Sequence, residues 1–514
     1  MNGSELIYEP KLGASASKAG YQFLLRFWQP IVAISFALVI PCFWHPHIEA
    51  GDLPSHLYNA WLAQLIAKGQ LPGLFVVRQW NNVFFDLALN GLAGLLGLNI
   101  AEKVAVSAAV LVFFWGSFAL VSNISQVRDN RTIPWVLVPC LAAVSYGYTF
   151  EMGFVNYYIS IGLTFWGLAI LARPTSSFLS DAIVVLLLAA LTWLAHPLGL
   201  CVFASAGAYI VFAKSLGPRL HVLLFFAAVL VLAFVYFDIR VHHRSFPYPS
   251  DFGGLIPNGA DQLWVYGQHG LVSVYLVTGL FLAAVLVDAE QRWRTTEWRI
   301  NYSLPLQLYV LALLAIALIP SGIKTPHRLG GTVLGFVKER LTIVAAVFAC
   351  CILAQVKPRK WLYAGFAALA MIFFTHLYFE TRKISLMEDQ LDRLVATLPQ
   401  GRRVTKKMFY LSNTRATIDH ITDRACIGRC FAYDNYEPSS GQFRIRALPD
   451  NSFVLTGADS LAAHKGQFVV REQDLPLTVV YQCVPDTATL CLGELMAGQE
   501  NGDVGRSKRL SSTF

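Results

Sequence analysis

Apolar residues run along most of this chain in long stretches broken only by short polar loops, instead of recurring as the one-sided stripe of a surface helix. A bilayer core of about 30 Å takes roughly 20 such residues in a helix. Windows of that kind lie near 23–44, 104–122, 133–149, 154–172, 179–196, 198–214, 220–237, 271–288, 303–320, 340–356 and 361–378. The segment 83–98 is apolar but short, glycine-rich and interrupted by Asp86, and reads as a helix lying along the membrane surface. From residue 380 the pattern changes. QFRIRAL, SFVLTG, GQFVVRE and LTVVYQCV predict short strands of a small α/β or mostly β domain. Three units follow: a segment 1–22, a membrane domain 23–378 with a long first loop at 45–103, and a C-terminal domain 379–514.

Composition agrees, since 55% hydrophobic and 14% charged residues with a mean hydropathy of +0.50 exceed what a soluble core needs. The net charge of +8 does not point to nucleic acid, because Lys and Arg sit mostly in short loops between apolar runs, where they set topology. With 83–98 outside the count, the loops holding Lys11, Lys18 and Arg26, Arg128 and Arg131, Arg173, Lys214 and Arg219, Arg292 to Arg299, and Lys357 to Lys360 all fall on one side. The expected fold class is therefore an α-helical polytopic membrane protein of about eleven spans in a cell (inner) membrane. Its N-terminus is expected to be cytoplasmic and its C-terminal domain extracytoplasmic. The N-terminal residues lack the charged, apolar and small-residue order of a cleavable signal, so the first span is expected to stay.

Of nine cysteines, Cys426, Cys430, Cys483 and Cys491 lie in the C-terminal domain. An even number in an exported domain favours two disulfides, with a zinc site as the alternative. The stretch HPHIEAGDLPSH, residues 45–56, falls at the outer mouth of the first span. Asp52 and His56 are four apart, so both point one way if a helix starts there, with Asp52 as its cap and Pro54 in its first turn. Leu57, Trp61, Leu65 and Ile66 would give that helix an apolar side for the membrane interface. His45, His47 and Glu49 add nearby ligands or bases. The plainer reading has Asp52 only capping and the histidines in solvent.

The order of one span, an external loop with D-x-x-x-H, a helix ending K-G-Q-L-P and then a second surface helix resembles the C-type membrane glycosyltransferases, the GT-C superfamily. By pattern the resemblance covers roughly the first 200 residues, and by architecture alone the rest. It implies transfer of a sugar from a polyprenyl-phosphate carrier to an extracytoplasmic acceptor that is a lipid, glycan or protein. In that superfamily the first external loop carries the catalytic aspartate, and Asp52 stands in that place. Leu53 follows it, where several members have a second acidic residue, which leaves metal use and the identity of the base open.

Such a transfer needs a base for the acceptor hydroxyl and cations for the departing phosphate. Asp52 is the candidate base, with His56 to orient it or to help hold a divalent cation. One acidic group suits a single displacement, with retention left open. The outer loops 238–244 and 324–340 carry basic residues where topology does not call for them. Among them Arg340 is the leading phosphate candidate, ahead of Arg328 and Lys338; pairing with Glu339 or snorkelling to headgroups is the alternative. Arg240, His242, His243 and Arg244 read more readily as a solvated loop. Glu151, Asn156 and tyrosines 146, 148, 157 and 158 lie at a span boundary, where they would meet a sugar or form an aromatic belt, and His196 would line the same cavity or merely end its helix. Two rivals remain. A transporter or flippase of lipid-linked sugars should show related halves, which are not seen, and a scaffold for envelope polysaccharide assembly would use the Arg- and Tyr-rich tail.

Overall fold

The computed structural model describes residues 16–125, 133–173, 178–216, 218–242, 244–246, 255–293, 303–324, 333–407, 415–484 and 487–503. Among them are eight helices long and apolar enough to cross a membrane. Two, Leu98–Ser125 and Val155–Ala172, pack side by side through the centre, where Gly116 and Gly162 allow contact too close for a side chain: a Cβ on Gly116 would stand 2.4 Å from the Gly162 carbonyl oxygen. Around them run Phe178–Ala195, Pro197–Ser215, Pro218–His242 and Gly270–Trp293, whose outward faces are strings of exposed Leu, Val and Phe. That exposure makes physical sense only against lipid.

Other stretches read as spans depart from a single long helix. The window 133–149 is broken into a 3-10 turn, an eight-residue helix Val138–Ser145 and a short turn of helix Tyr148–Glu151. Windows 303–320 and 340–356 are the 16- and 17-residue helices Ser303–Leu318 and Val337–Leu353. The stretch 83–98 forms the 13-residue helix Phe84–Leu96, as its pattern predicts. The last apolar window does not stop near 378. One 37-residue helix, Lys360–Ala396, roughly 55 Å long at 1.5 Å per residue, carries the chain past the boundary expected at 378/379 into the C-terminal domain.

In that domain four strands pair in the order Cys430–Ala432, Arg402–Lys406, Leu477–Gln482, Leu490–Leu495, the first two contacts parallel and the last antiparallel. LTVVYQCV is a strand of this sheet, whereas SFVLTG is not a strand. QFRIRAL supplies Ile445–Ala447, which pairs instead with Leu74–Val76 of the first loop. Along Leu477–Gln482, Leu477 and Val479 pack into a small core with Phe468 and Leu495, while Val480 joins the main core shared with the bundle. The domain is thus seated on the first loop by a shared strand pair and a shared core. Its cysteines lie as two disulfides, Cys426–Cys430 and Cys483–Cys491, so the zinc alternative does not arise from them.

The first-loop helix Leu53–Ala67 forms where expected, but not on the lipid interface. Leu57 is buried, the Tyr58 hydroxyl accepts from the Ala432 N–H at 2.9 Å, and Trp61 stacks on Phe431 with ring centroids 5.9 Å apart. Its apolar side is thus the seat of the C-terminal domain. The two segments rich in basic residues also meet, as Arg244–Phe246 pairs with Gly322–Lys324, which pairs with Val333–Leu334.

Candidate active site at the junction of the first loop and the C-terminal domain

Asp52 sits at the start of Leu53–Ala67, yet its carboxylate makes no capping bond. The turn that presents it is held by backbone: Gly51 N–H donates to the Glu151 carbonyl at 2.8 Å and Asp52 N–H to the Met152 carbonyl at 3.1 Å. Gly153 has φ +74°, and a Cβ there would lie 2.2 Å from the Asp52 nitrogen, so the close approach requires glycine. With its side chain 30% exposed, Asp52 turns one oxygen toward His420 of the C-terminal domain, 3.8 Å from Nε2.

His420 is buried, and its Nδ1 lies 2.8 Å from Asp423. Lys406 on the neighbouring strand stands 3.8 Å from Asp423 and 4.0 Å from Asp434. Burial works against charge on His420, but the bond to Asp423 and the charges of Asp423 and Asp52 outweigh it and raise the imidazole above its ordinary value.

One turn along the first-loop helix, His56 meets Asp86 rather than Asp52, with Nδ1 2.7 Å from a carboxylate oxygen. Burial again opposes charge, yet Asp86 beside it, helped by Glu437 and Asp52, lifts His56 to about 9. Asp86 is in turn held low: burial pushes it up, but His56 and the Asn156 amide outweigh that. Asn156 donates to Asp86 at 2.8 Å and accepts from the Phe85 N–H at 2.8 Å, which ties Phe84–Leu96 to the central bundle. Glu437 from the C-terminal domain accepts from Ser55 at 2.8 Å, and burial lifts its carboxyl to about 7. Between these groups runs a narrow crevice lined by His56, Asn59, Asp86, Glu437, Phe443 and Arg444.

On the other side of the Asp52 turn, Phe154 follows Gly153 directly, and the Arg340 guanidinium lies over its ring at 4.1 Å. Tyr157 donates to the Arg340 carbonyl at 2.7 Å, and His196 meets the Tyr157 ring edge-on at 5.4 Å between centroids. The structure thus brings Asp52, His56, Asn156, Arg340 and His196 to one end of the bundle. His196 also caps its own helix, Nδ1 accepting from Leu198 N–H at 3.1 Å. Lys338 is half-buried on the first turn of the Arg340 helix. Arg328 and His243 lie outside the described residues, and Glu151 is buried with its carboxyl accepting from Tyr266 at 2.9 Å. Tyrosines 146, 148, 157 and 158 are core side chains, none more than 2% exposed, and do not form an open belt.

His45 and His47, which the plainer reading puts in solvent, are also engaged. His45 is buried with Nε2 3.1 Å from Thr381, and His47 faces Glu388 and Asp392 on the long helix. Sequence reasoning missed Asp86, His420, Asp423 and Glu437. Asp86 left one signal, a carboxylate in an apolar helix; the other three lie more than 360 residues from Asp52 and left none. Among the described residues no three His, Cys, Asp or Glu side chains converge as a metal-binding group. No family model, curated protein or solved structure matches the chain.

Proposed function

We propose that this chain is a multi-pass membrane glycosyltransferase that takes a sugar from a polyprenyl-phosphate carrier and passes it to an extracytoplasmic acceptor, with about eleven membrane passages, some by short or broken helices, and a cytoplasmic N-terminus. One observation carries the reading: a partly exposed, uncapped aspartate stands one helical turn from a crevice lined by His56, Asp86 and Glu437, and its turn abuts Phe154, on whose ring a cation rests. In the reaction Asp52 takes the proton of the acceptor hydroxyl as that oxygen bonds to the sugar's anomeric carbon, and the carbon–oxygen bond to phosphate breaks with its electron pair leaving on the phosphate. Arg340 meets that leaving charge, and its planar donors suit phosphate oxygens. His56 is spoken for by Asp86, so its part is to hold the crevice wall in shape.

The test is purified protein in vesicles with tritium-labelled polyprenyl-phosphoryl mannose, glucose and arabinose, following label that leaves the lipid phase. Wild-type turnover that Asp52→Asn abolishes supports the reading. Turnover unchanged by Asp52→Asn removes Asp52 from its role, and movement of intact donor across the bilayer without bond cleavage would make the protein a transporter.

A further inference from the structure

The C-terminal domain does more than cover the first loop. We infer that it completes the reacting centre: His420, gripped at Nδ1 by Asp423, is a positioning residue that steers the Asp52 carboxylate from across the domain junction. This inference rests on the transferase reading above. Its geometry is a line of three side chains, Asp423 to His420 at 2.8 Å and His420 Nε2 to Asp52 at 3.8 Å, with both C-terminal members buried. With Nδ1 committed to Asp423, Nε2 is left to face Asp52.

The backbone around the line is shaped for it. A Cβ on Gly51 would stand 2.9 Å from the Thr417 hydroxyl, so the turn bearing Asp52 and the segment leading to His420 approach as closely as glycine permits. Asp423 is fixed by Lys406 on the sheet, and the Cys426–Cys430 disulfide closes the turn just beyond its helix Ile421–Ala425. The charged and titratable groups acting on His420 are Asp52 from the first loop, Asp423 on its own element, Lys406 from the sheet, and Glu437 and His464 beyond, while Asp419 and Asp434 act on Lys406 and His464. Burial and Lys406 oppose its charge while Asp423 and Asp52 favour it, and the balance raises the imidazole above its ordinary value. The proton Asp52 gains in the transfer leaves to water from its exposed side.

Two measurements test this on the full-length protein in vesicles. In the first, ring nitrogens of ¹⁵N-histidine-labelled protein are titrated by NMR, with His420→Gln identifying the His420 signal. Asp52→Asn is expected to lower the His420 midpoint, and an unmoved midpoint overturns the pairing. In the second, His420→Gln is expected to reduce turnover of the labelled donors about 10²-fold at unchanged KM, while Asp450→Asn, at an exposed site of the same domain, leaves it near wild type. A His420→Gln protein that keeps the wild-type rate overturns the positioning role. If His420→Ala fails to fold, the Gln variant and the titration still decide. Wild-type protein that cleaves none of the three donors overturns the transferase reading and not the pairing, which the titration judges alone.

Discussion

On one side of Asp52 the junction with the C-terminal domain is a network of ions, His56 with Asp86, His420 with Asp423, and Lys406 between two aspartates. On the other side Arg340 lies on the rings of Phe154 and Tyr157. The two regions place charge differently. In the network each charged group is fixed by an opposite charge, so removing one member strands its partner in a buried place. In the aromatic cradle the cation lies against ring faces, and its planar guanidinium has the shape that suits the oxygens of an anion. On the proposed reading, the domain side is a fixed framework and the bundle side a binding surface.

Asp52→Asn breaks the centre between the two regions and should give the largest effect, a loss of about 10²- to 10⁴-fold in turnover. Its exposed carboxylate supports little of the fold, so the unfolding temperature should hardly move, and a thermal melt checks that. Arg340→Ala should act on binding, raising the donor KM about 10- to 100-fold, the loss of a charged hydrogen bond to phosphate. An equal fall in kcat with KM unchanged would place Arg340 on the framework side instead.

Asp86→Asn should show the opposite signature. It leaves His56 buried without its carboxylate and should lower stability by about 2 kcal/mol, read from denaturant unfolding, with donor KM little changed. Tyr157→Phe removes a single bond to the Arg340 carbonyl and should cost about 1 kcal/mol. The smallest change is in pH. Glu437, lifted to about 7 by burial, and His56, lifted to about 9 by Asp86 against burial, both hold their protons more tightly when folded. Their share of stability is complete at low pH and is lost as pH rises, through about 7 for Glu437 and about 9 for His56. Unfolding midpoints across pH 5 to 10 should therefore fall toward the alkaline end, and His56→Gln with Glu437→Gln should flatten that fall.

Several elements are legible from pattern alone. The long apolar windows, the helix after Asp52, the short helix around Asp86 and the oxidised cysteine pairs follow from hydropathy, turn residues and cysteine count. The window 133–149 was not legible as a broken helix, because hydropathy averages over breaks at Pro134 and Gly147. Nor was the fate of the helix Leu53–Ala67, whose apolar side suits a lipid interface and a protein partner equally. The candidate site was half legible. Asp52, His56 and Arg340 stand out by their position in loops, while His420, Asp423 and Glu437 look like ordinary polar residues of a small domain.

The chain's order of residues determined by itself that most of this protein belongs in a bilayer, where apolar stretches end, and which loops carry charge, since those depend on local transfer free energies and length. Only the tertiary structure decided which charges meet. Val155–Ala172 is 83% buried and Leu220–His242 0% buried, although both are apolar enough to span. The same holds for Asp52 and His420, which no local pattern links. Their meeting depends on a strand pair and a continuous helix that bring a distant domain down onto the first loop, because ion pairing at 3 to 4 Å is set by the packing of whole elements.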